Sequence, residues 1–234
     1  MDALAALAAD PPAAALLFDV DGTLAPIVPD PQDAHVPDAT RTELRRLAGR
    51  YGLVACISGR TSEVARSIVG VDELTYVGEH GLELDPAAAA WSERIRSFGA
   101  SAAWTAEEKP FSVAFHYRTA SDPEEARQRL ERIEAQARAQ GLRTRWGRLV
   151  LEVLPPIEAS KRTAVEHLLE QHRLRRAVYA GDDATDLDAF SALDGLELAV
   201  RIAIASAEAP PALRERADLV VESPEALAAV LAEL

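Results

Sequence analysis

The sequence predicts an α/β fold: a parallel sheet sheathed by helices, interrupted in mid-chain by an inserted α+β unit. Three observations carry that reading. In the first third of the chain, short and wholly apolar runs alternate with amphipathic stretches, the pattern of a parallel sheet covered on both faces. The same alternation resumes after residue 160. Between the two, half-exposed strands flank one long helix, as an antiparallel sheet with a helix on one side requires.

Taken in order, Leu16–Asp19 is the first expected strand. Asp38, after Pro37, is expected to cap a helix reaching about Arg50. Leu53–Ile57 reads as a strand, Thr61–Ile68 as a helix and Leu74–Val77 as a third strand. The Pro- and Ala-rich tract Asp85–Ala90 reads as loop, and Phe111–Tyr117 as a half-exposed strand. Asp122 is an N-cap candidate with Pro123 at the first helical position, and Gly141 ends that helix where a left-handed cap belongs. Leu142–Trp146 and Arg148–Leu154 form a hairpin pattern around Gly147. Beyond Ser160 come a helix over Lys161–Gln171, a strand at Ala177–Ala180 and a helix after Thr185. Strands at Leu196–Val200 and Leu219–Val221 precede a last helix capped at Ser223-Pro224.

Composition narrows the function. A chain of 234 residues buries a sizeable core, and its net charge of −13 argues against nucleic acid or an anionic membrane as the main partner. A small anionic substrate is still compatible, because a metal and a few local cations reverse the field inside one cleft. Cys56 is the single cysteine, so no intramolecular disulfide and no cysteine-based metal site is expected; in the run Leu53–Ile57 it reads as a small buried residue. Met1–Ala9 has no basic region and is too short to span a membrane, so a cytoplasmic location is expected. A monomer is the expected state.

The chemistry is concentrated where apolar runs end. Ala15-Leu16-Leu17-Phe18 runs into Asp19-Val20-Asp21-Gly22-Thr23, and Ala177-Val178-Tyr179-Ala180 into Gly181-Asp182-Asp183-Ala184-Thr185-Asp186. Carboxylates forced together repel and need a cation, a shared proton or another positive group. Two such strand ends far apart in sequence point to one cation site. Gly22 lets the chain turn sharply and offers backbone N–H groups to an anion. Ser58-Gly59-Arg60 follows another strand, where Ser58 and the nearby backbone suit phosphate oxygens. Lys161 stands at a helix start, where the dipole disfavours a cation by about 0.3–1 kcal/mol unless something nearby repays it. Open parallel sheets place their ligand crevice at these strand ends. The set reads as a phosphoryl-transfer site: Mg²⁺ on oxygen ligands, Asp19 as nucleophile, Asp21 as general acid and then base, and Ser58 and Lys161 holding the transferring group.

Asp19-Val20-Asp21-Gly22-Thr23, Ser58, Lys161 and Gly181-Asp182-Asp183 resemble, in order, the four motifs of the haloacid-dehalogenase-like phosphatase superfamily. Asp21–Val28, Gly78-Glu79-His80-Gly81, His116-Tyr117-Arg118, Leu151-Glu152-Val153 after Arg148, and Gly181–Asp186 are similar to trehalose-6-phosphate phosphatases. The resemblance implies a Rossmann-like parallel-sheet core over 1–83 and 157–234, with an α+β cap domain over 84–156. It implies Mg²⁺ held by Asp19, the backbone carbonyl of Asp21 and Asp182, with Asp186 a further acidic contact at the metal. It also implies substrate contacts at Gly22, Thr23, Gly59 and Arg60, and from Glu79, His80, Lys109, His116, Arg118, Arg148 and Glu152. The implied activity is hydrolysis of a small phosphorylated disaccharide, trehalose 6-phosphate, in trehalose biosynthesis, coupled functionally to a trehalose-phosphate synthase. The alternatives are another sugar-phosphate phosphatase, of sucrose phosphate or mannosyl-phosphoglycerate type, or a phosphosugar-binding regulator without turnover. Two departures bear on the substrate: Ser160-Lys161-Arg162 stands where the family has Asp-Lys-Gly, and Leu154-Pro155-Pro156 lacks the arginine often found before that proline.

Overall fold

The computed structural model describes residues 3–147, 149–205 and 209–234, and in it the chain divides into two compact units, Met1–Gly81 with Ala159–Leu234, and Leu82–Glu158. In chain order, the first unit begins with α1 (Ala3–Ala8), β1 (Ala15–Phe18), α2 (Asp38–Ala48), β2 (Leu53–Ile57), α3 (Ser62–Val69) and β3 (Thr75–Val77). The second contains α4 (Ser92–Ser101), β4 (Glu107–Glu108), β5 (Val113–His116), α5 (Pro123–Ala139), β6 (Arg143–Gly147) and β7 (Val150–Leu154). The chain returns to the first unit with α6 (Lys161–His172), β8 (Arg176–Gly181), α7 (Asp186–Ala192), β9 (Leu198–Ile204), α8 (Pro211–Arg216), β10 (Leu219–Val221) and α9 (Pro224–Glu233).

In the first unit six strands form a parallel sheet in the order β10-β9-β8-β1-β2-β3. β1 is central and buried along its whole length, as its unbroken Ala-Leu-Leu-Phe run demands of a strand covered on both faces. The chain winds from β1 to β3 on one side, then restarts at β8 on the other. The gap between β1 and β8 is therefore the point where the winding direction reverses and where such sheets open a crevice. Phe18 pairs with Ala180 and with Cys56, so the ends of β1, β2 and β8 lie level. The Asp19 amide donates to the Ala180 carbonyl at 2.9 Å, carrying the ladder one residue past the strand to the first acid.

In the second unit four antiparallel strands run β4-β5-β7-β6. Alternation sorts their side chains. Val113, Phe115, Leu151 and Val153 are buried in one core with Ile95 and Phe98 of α4 and Leu130, Ile133 and Ala137 of α5. Phe98 and Phe115 meet edge to face, with centroids 6.5 Å apart. Ala114 and Glu152 stand opposite each other on the other face, with Arg145 next in register.

Several expectations need adjusting. Asp38 is the first helical residue and Pro37 the cap, because the chain enters α2 extended at Pro37. Asp85–Ala90 is not wholly loop: 3-10 turns form at Glu79–Leu84 and Ala88–Trp91 and lead into α4. Leu196 precedes β9, which runs on to Ile204. No helix among the described residues is long and apolar enough to cross a membrane.

Candidate active site

The first unit gathers its acids around one lysine. Ser160 caps α6, its Oγ accepting from the Thr163 amide while Thr163 Oγ1 accepts from the Ser160 amide, and this reciprocal pair places Lys161 at the first helical position. Lys161 is 2% exposed, and its Nζ lies 2.7 Å from Asp19 Oδ1, 2.7 Å from Asp186 Oδ1 and 3.9 Å from Asp183 Oδ1. Burial alone would lower the lysine; Asp186 and Asp19, with Asp183 behind them, more than reverse this and raise its pKa well above the ordinary value. The unfavourable helix-dipole placement is thus repaid by three carboxylates.

Asp186 is fully buried and accepts four hydrogen bonds. Lys161 Nζ and the Tyr179 hydroxyl donate to Oδ1, each at 2.7 Å, and the amides of Asp182 and Asp183 donate to Oδ2 at 2.9 and 3.0 Å. Tyr179, missed in the sequence as part of an apolar run, had one legible signal: a tyrosine in a buried strand must find a partner for its hydroxyl.

Asp19 and Asp182 complete the cluster. Burial pushes Asp19 well above its ordinary carboxylate range; Lys161 opposes the shift, while Asp186, Asp182 and Asp183 add to it. Burial, then Asp186 and Asp183, push Asp182 up to about 7 against Lys161 and a hydrogen bond from Thr23 Oγ1 at 3.2 Å. Donor oxygens of Asp19, Asp182 and Asp186 all lie within 4.8 Å of one another. Four carboxylates around one ammonium leave excess negative charge in a dry place, and all the donors are hard oxygens, so the residues fit a cation such as Mg²⁺. Gly22 makes room for this: it has φ +86°, and a Cβ there would stand 2.2 Å from Asp182 Oδ2.

Asp21 faces elsewhere. Both its oxygens accept from Arg60, Oδ1 from Nη2 at 2.6 Å and Oδ2 from Nε at 2.8 Å, while Nη1 donates to the Pro31 carbonyl at 3.0 Å. Ser58 is buried, with its Oγ accepting from the Arg60 amide at 3.1 Å. Glu79 is buried, and its amide donates to the Arg60 carbonyl while that of His80 donates to the Ser58 carbonyl, each at 2.8 Å.

Among the expected residues of the second unit, Glu152 is 7% exposed and sits between Lys109 (3.2 Å) and Arg145 (2.6 and 2.9 Å). His116 is exposed and 2.5 Å from Glu107, a hydrogen bond that lowers the pKa of Glu107. Arg118 is exposed, and Arg148 lies outside the described residues. Arg145 and Glu107 were not singled out in the sequence; the strand register pairs Arg145 with Glu152, and a side-chain contact joins Glu107 to His116.

A solved haloacid dehalogenase-like hydrolase from Bacteroides thetaiotaomicron shares the fold, at TM-score 0.60 and 14% identity over 94% of this chain and 98% of that one. The chain thus has the haloacid-dehalogenase-like fold. The family model for trehalose-phosphatase matches residues 17–222, and the chain belongs to that family. It is 38% identical over 209 residues to a trehalose-phosphate phosphatase of Mycolicibacterium paratuberculosis, covering 77% of this chain and 51% of the relative, so the chain spans about half the length of that relative. The C-terminal domain of trehalose-6-phosphate phosphatase from C. albicans matches at TM-score 0.76 and 21% identity, over 99% of this chain and 94% of that one.

Proposed function

We propose that this chain hydrolyses trehalose 6-phosphate to trehalose and inorganic phosphate through a phosphorylated Asp19. The observation that carries this is Lys161, buried and 2.7 Å from Asp19, in a chain of the trehalose-phosphatase family. The Asp19 carboxylate attacks phosphorus; the bond from phosphorus to the sugar oxygen breaks, and the proton of the Asp21 carboxyl passes to that oxygen, freeing the sugar. Water then attacks the phosphorus of the aspartyl-phosphate and gives a proton to Asp21, so phosphate leaves and Asp19 is restored. Lys161 and Ser58 hold the phosphoryl oxygens. Asp19, Asp182 and the Asp21 carbonyl would hold Mg²⁺, which neutralises phosphoryl charge when bound. Asp186, with all its acceptor directions used, holds Lys161 in place and is not assigned as a ligand.

The inserted unit is assigned as the cap that recognises the sugar, with Lys109, His116, Arg118, Arg148 and Glu152 as contact candidates. A cytoplasmic monomer supplied by a trehalose-phosphate synthase completes the reading. Phosphate release from trehalose 6-phosphate, sucrose 6-phosphate and glucose 6-phosphate, with Mg²⁺ and with chelator, tests it. Metal-dependent turnover confined to the trehalose ester is expected. Preference for another ester would replace the substrate, and tight binding without release would favour a regulator.

A further inference from the structure

The structure assigns to Arg60 a task other than gripping the substrate: it is a positioning residue that sets the carboxylate of Asp21. The inference rests on the phosphatase reading above and deepens it. Arg60 presents the edge of its guanidinium to Asp21, with Nε on Oδ2 at 2.8 Å and Nη2 on Oδ1 at 2.6 Å. Two parallel bonds fix both the distance and the plane of a carboxylate, which a single point charge does not. The third side of the guanidinium is tied down by Nη1 on the Pro31 carbonyl at 3.0 Å.

The backbone beneath is braced as firmly. The Arg60 amide donates to Ser58 Oγ, the Arg60 carbonyl accepts from the Glu79 amide and the Ser58 carbonyl from the His80 amide. Glu79 and His80 achieve this in the left-handed region, at φ 48° and 54°, which non-glycine residues enter only where the surroundings hold them. The His80 ring lies against Gly59, where a Cβ would stand 2.4 Å from Nε2. Two expected substrate contacts, Glu79 and His80, thus form through their backbones the support on which Arg60 stands. Asp21, by contrast, sits in a turn with its side chain 33% exposed, and both its carboxylate oxygens are held by Arg60.

The consequence differs between the two steps: hydrolysis of the aspartyl-phosphate also uses Asp21 but is the same whatever the ester, whereas departure of the leaving group, which kcat/KM reads, is not. Attack by Asp19 on phosphorus does not need Asp21; departure of a sugar oxygen does, because an alkoxide leaves poorly without a proton. An aryl oxygen that leaves readily as its anion needs that proton far less. Loss of the fork should therefore cost more with a sugar ester than with an aryl ester. If Arg60 held the phosphoryl group instead, both esters would suffer alike.

The test measures kcat and KM with Mg²⁺ for the wild type, Arg60→Ala and Arg60→Lys, on trehalose 6-phosphate and on p-nitrophenyl phosphate. For both variants the ratio of sugar-ester to aryl-ester kcat/KM, which covers the steps through departure of the leaving group, is expected to fall by about 10–100-fold, as for a misplaced general acid. Equal losses of kcat/KM on the two esters, or a raised KM with kcat preserved on both, would overturn the assignment. Arg60→Lys keeps bulk and charge, so it decides the matter if thermal melting shows Arg60→Ala unfolded. A wild type that prefers another sugar ester replaces the proposed substrate, and the same ratio is then read with that ester. A wild type that cleaves only the aryl ester overturns both the proposed function and the task given to Arg60.

Discussion

Replacing Asp186 by Asn changes one atom, and the structure says how much it should cost. The carboxylate accepts four hydrogen bonds in a fully buried position, two at each oxygen. An amide has one acceptor oxygen and one donor nitrogen. Whichever way it turns, its NH₂ faces two donors, either Lys161 with Tyr179 or the two amides of Asp182 and Asp183. Two bonds are lost and Lys161 loses one of its two close anions. Lys161 keeps Asp19 as a close anion, and burial and Asp183 already disfavour the charge of Asp186, so the cost is that of leaving buried groups unpaired, about 1–3 kcal/mol. For a chain of this length about 2–4 °C of melting temperature goes with each kcal/mol, so a fall of about 2–12 °C is expected. Thermal melting without metal reads it directly, and phosphate release at about 20 °C, where the variant is still folded, should also fall because Lys161 is no longer held at Asp19. A melting temperature within about 2 °C of the wild type would refute the reasoning, since two hydrogen bonds in a fully buried place cannot vanish at no cost.

The remaining predictions concern the cation site. Gly22→Ala drives a methyl group into Asp182 at a position of φ +86°, so stability should fall by about 1–3 kcal/mol and turnover with it; wild-type melting and activity would contradict this. Asp182 keeps its proton up to about pH 7 in the folded chain, against an ordinary value of 3.8, so the folded state binds more protons between the two and this group lowers stability as pH rises through that window. Asp182→Asn should accordingly raise the metal-free melting temperature at about pH 8, by roughly 2–6 °C, and abolish the upward shift that Mg²⁺ produces in the wild type; a lower melting temperature or a retained Mg²⁺ shift would contradict it. The same shift means that Mg²⁺ binding near neutral pH should release protons and tighten as pH rises through about 7, which calorimetry in two buffers of different ionisation enthalpy can read; binding indifferent to pH would count against Asp182 as a ligand.

The core sheet was legible because its strands are short apolar runs that end in punctuation. Leu53–Ile57 and Leu219–Val221 coincide with their expected limits, and the acids stand at the ends of β1 and β8 as the runs foretold. α4 was not foreseen, since it follows an Ala-rich 3-10 turn and has Trp91 as its cap, with no side-chain hydrogen bond to announce a start. β4 is two glutamates, paired with Ala114 and Val113 but too short for any pattern. Partnerships were the least readable part. Lys161 stood out as a cation where the helix dipole is unfavourable, yet Tyr179 and Asp186 are joined only by the fold. Arg60 and Asp21 lie 39 residues apart in sequence, and nothing in either motif says that they clasp each other.

The central claim is that the phosphoryl group passes through Asp19, and the most direct measurement is to trap it there. Protein turning over trehalose 6-phosphate with Mg²⁺ is quenched in acid within milliseconds and treated with borohydride, which reduces an acyl phosphate to an alcohol, and the peptides are then read by mass spectrometry. The account predicts a reduced side chain at Asp19, dependent on substrate and Mg²⁺ and absent in Asp19→Asn. Phosphate release at the full rate with Asp19 unmodified, or with the reduced group on another acid, would contradict it.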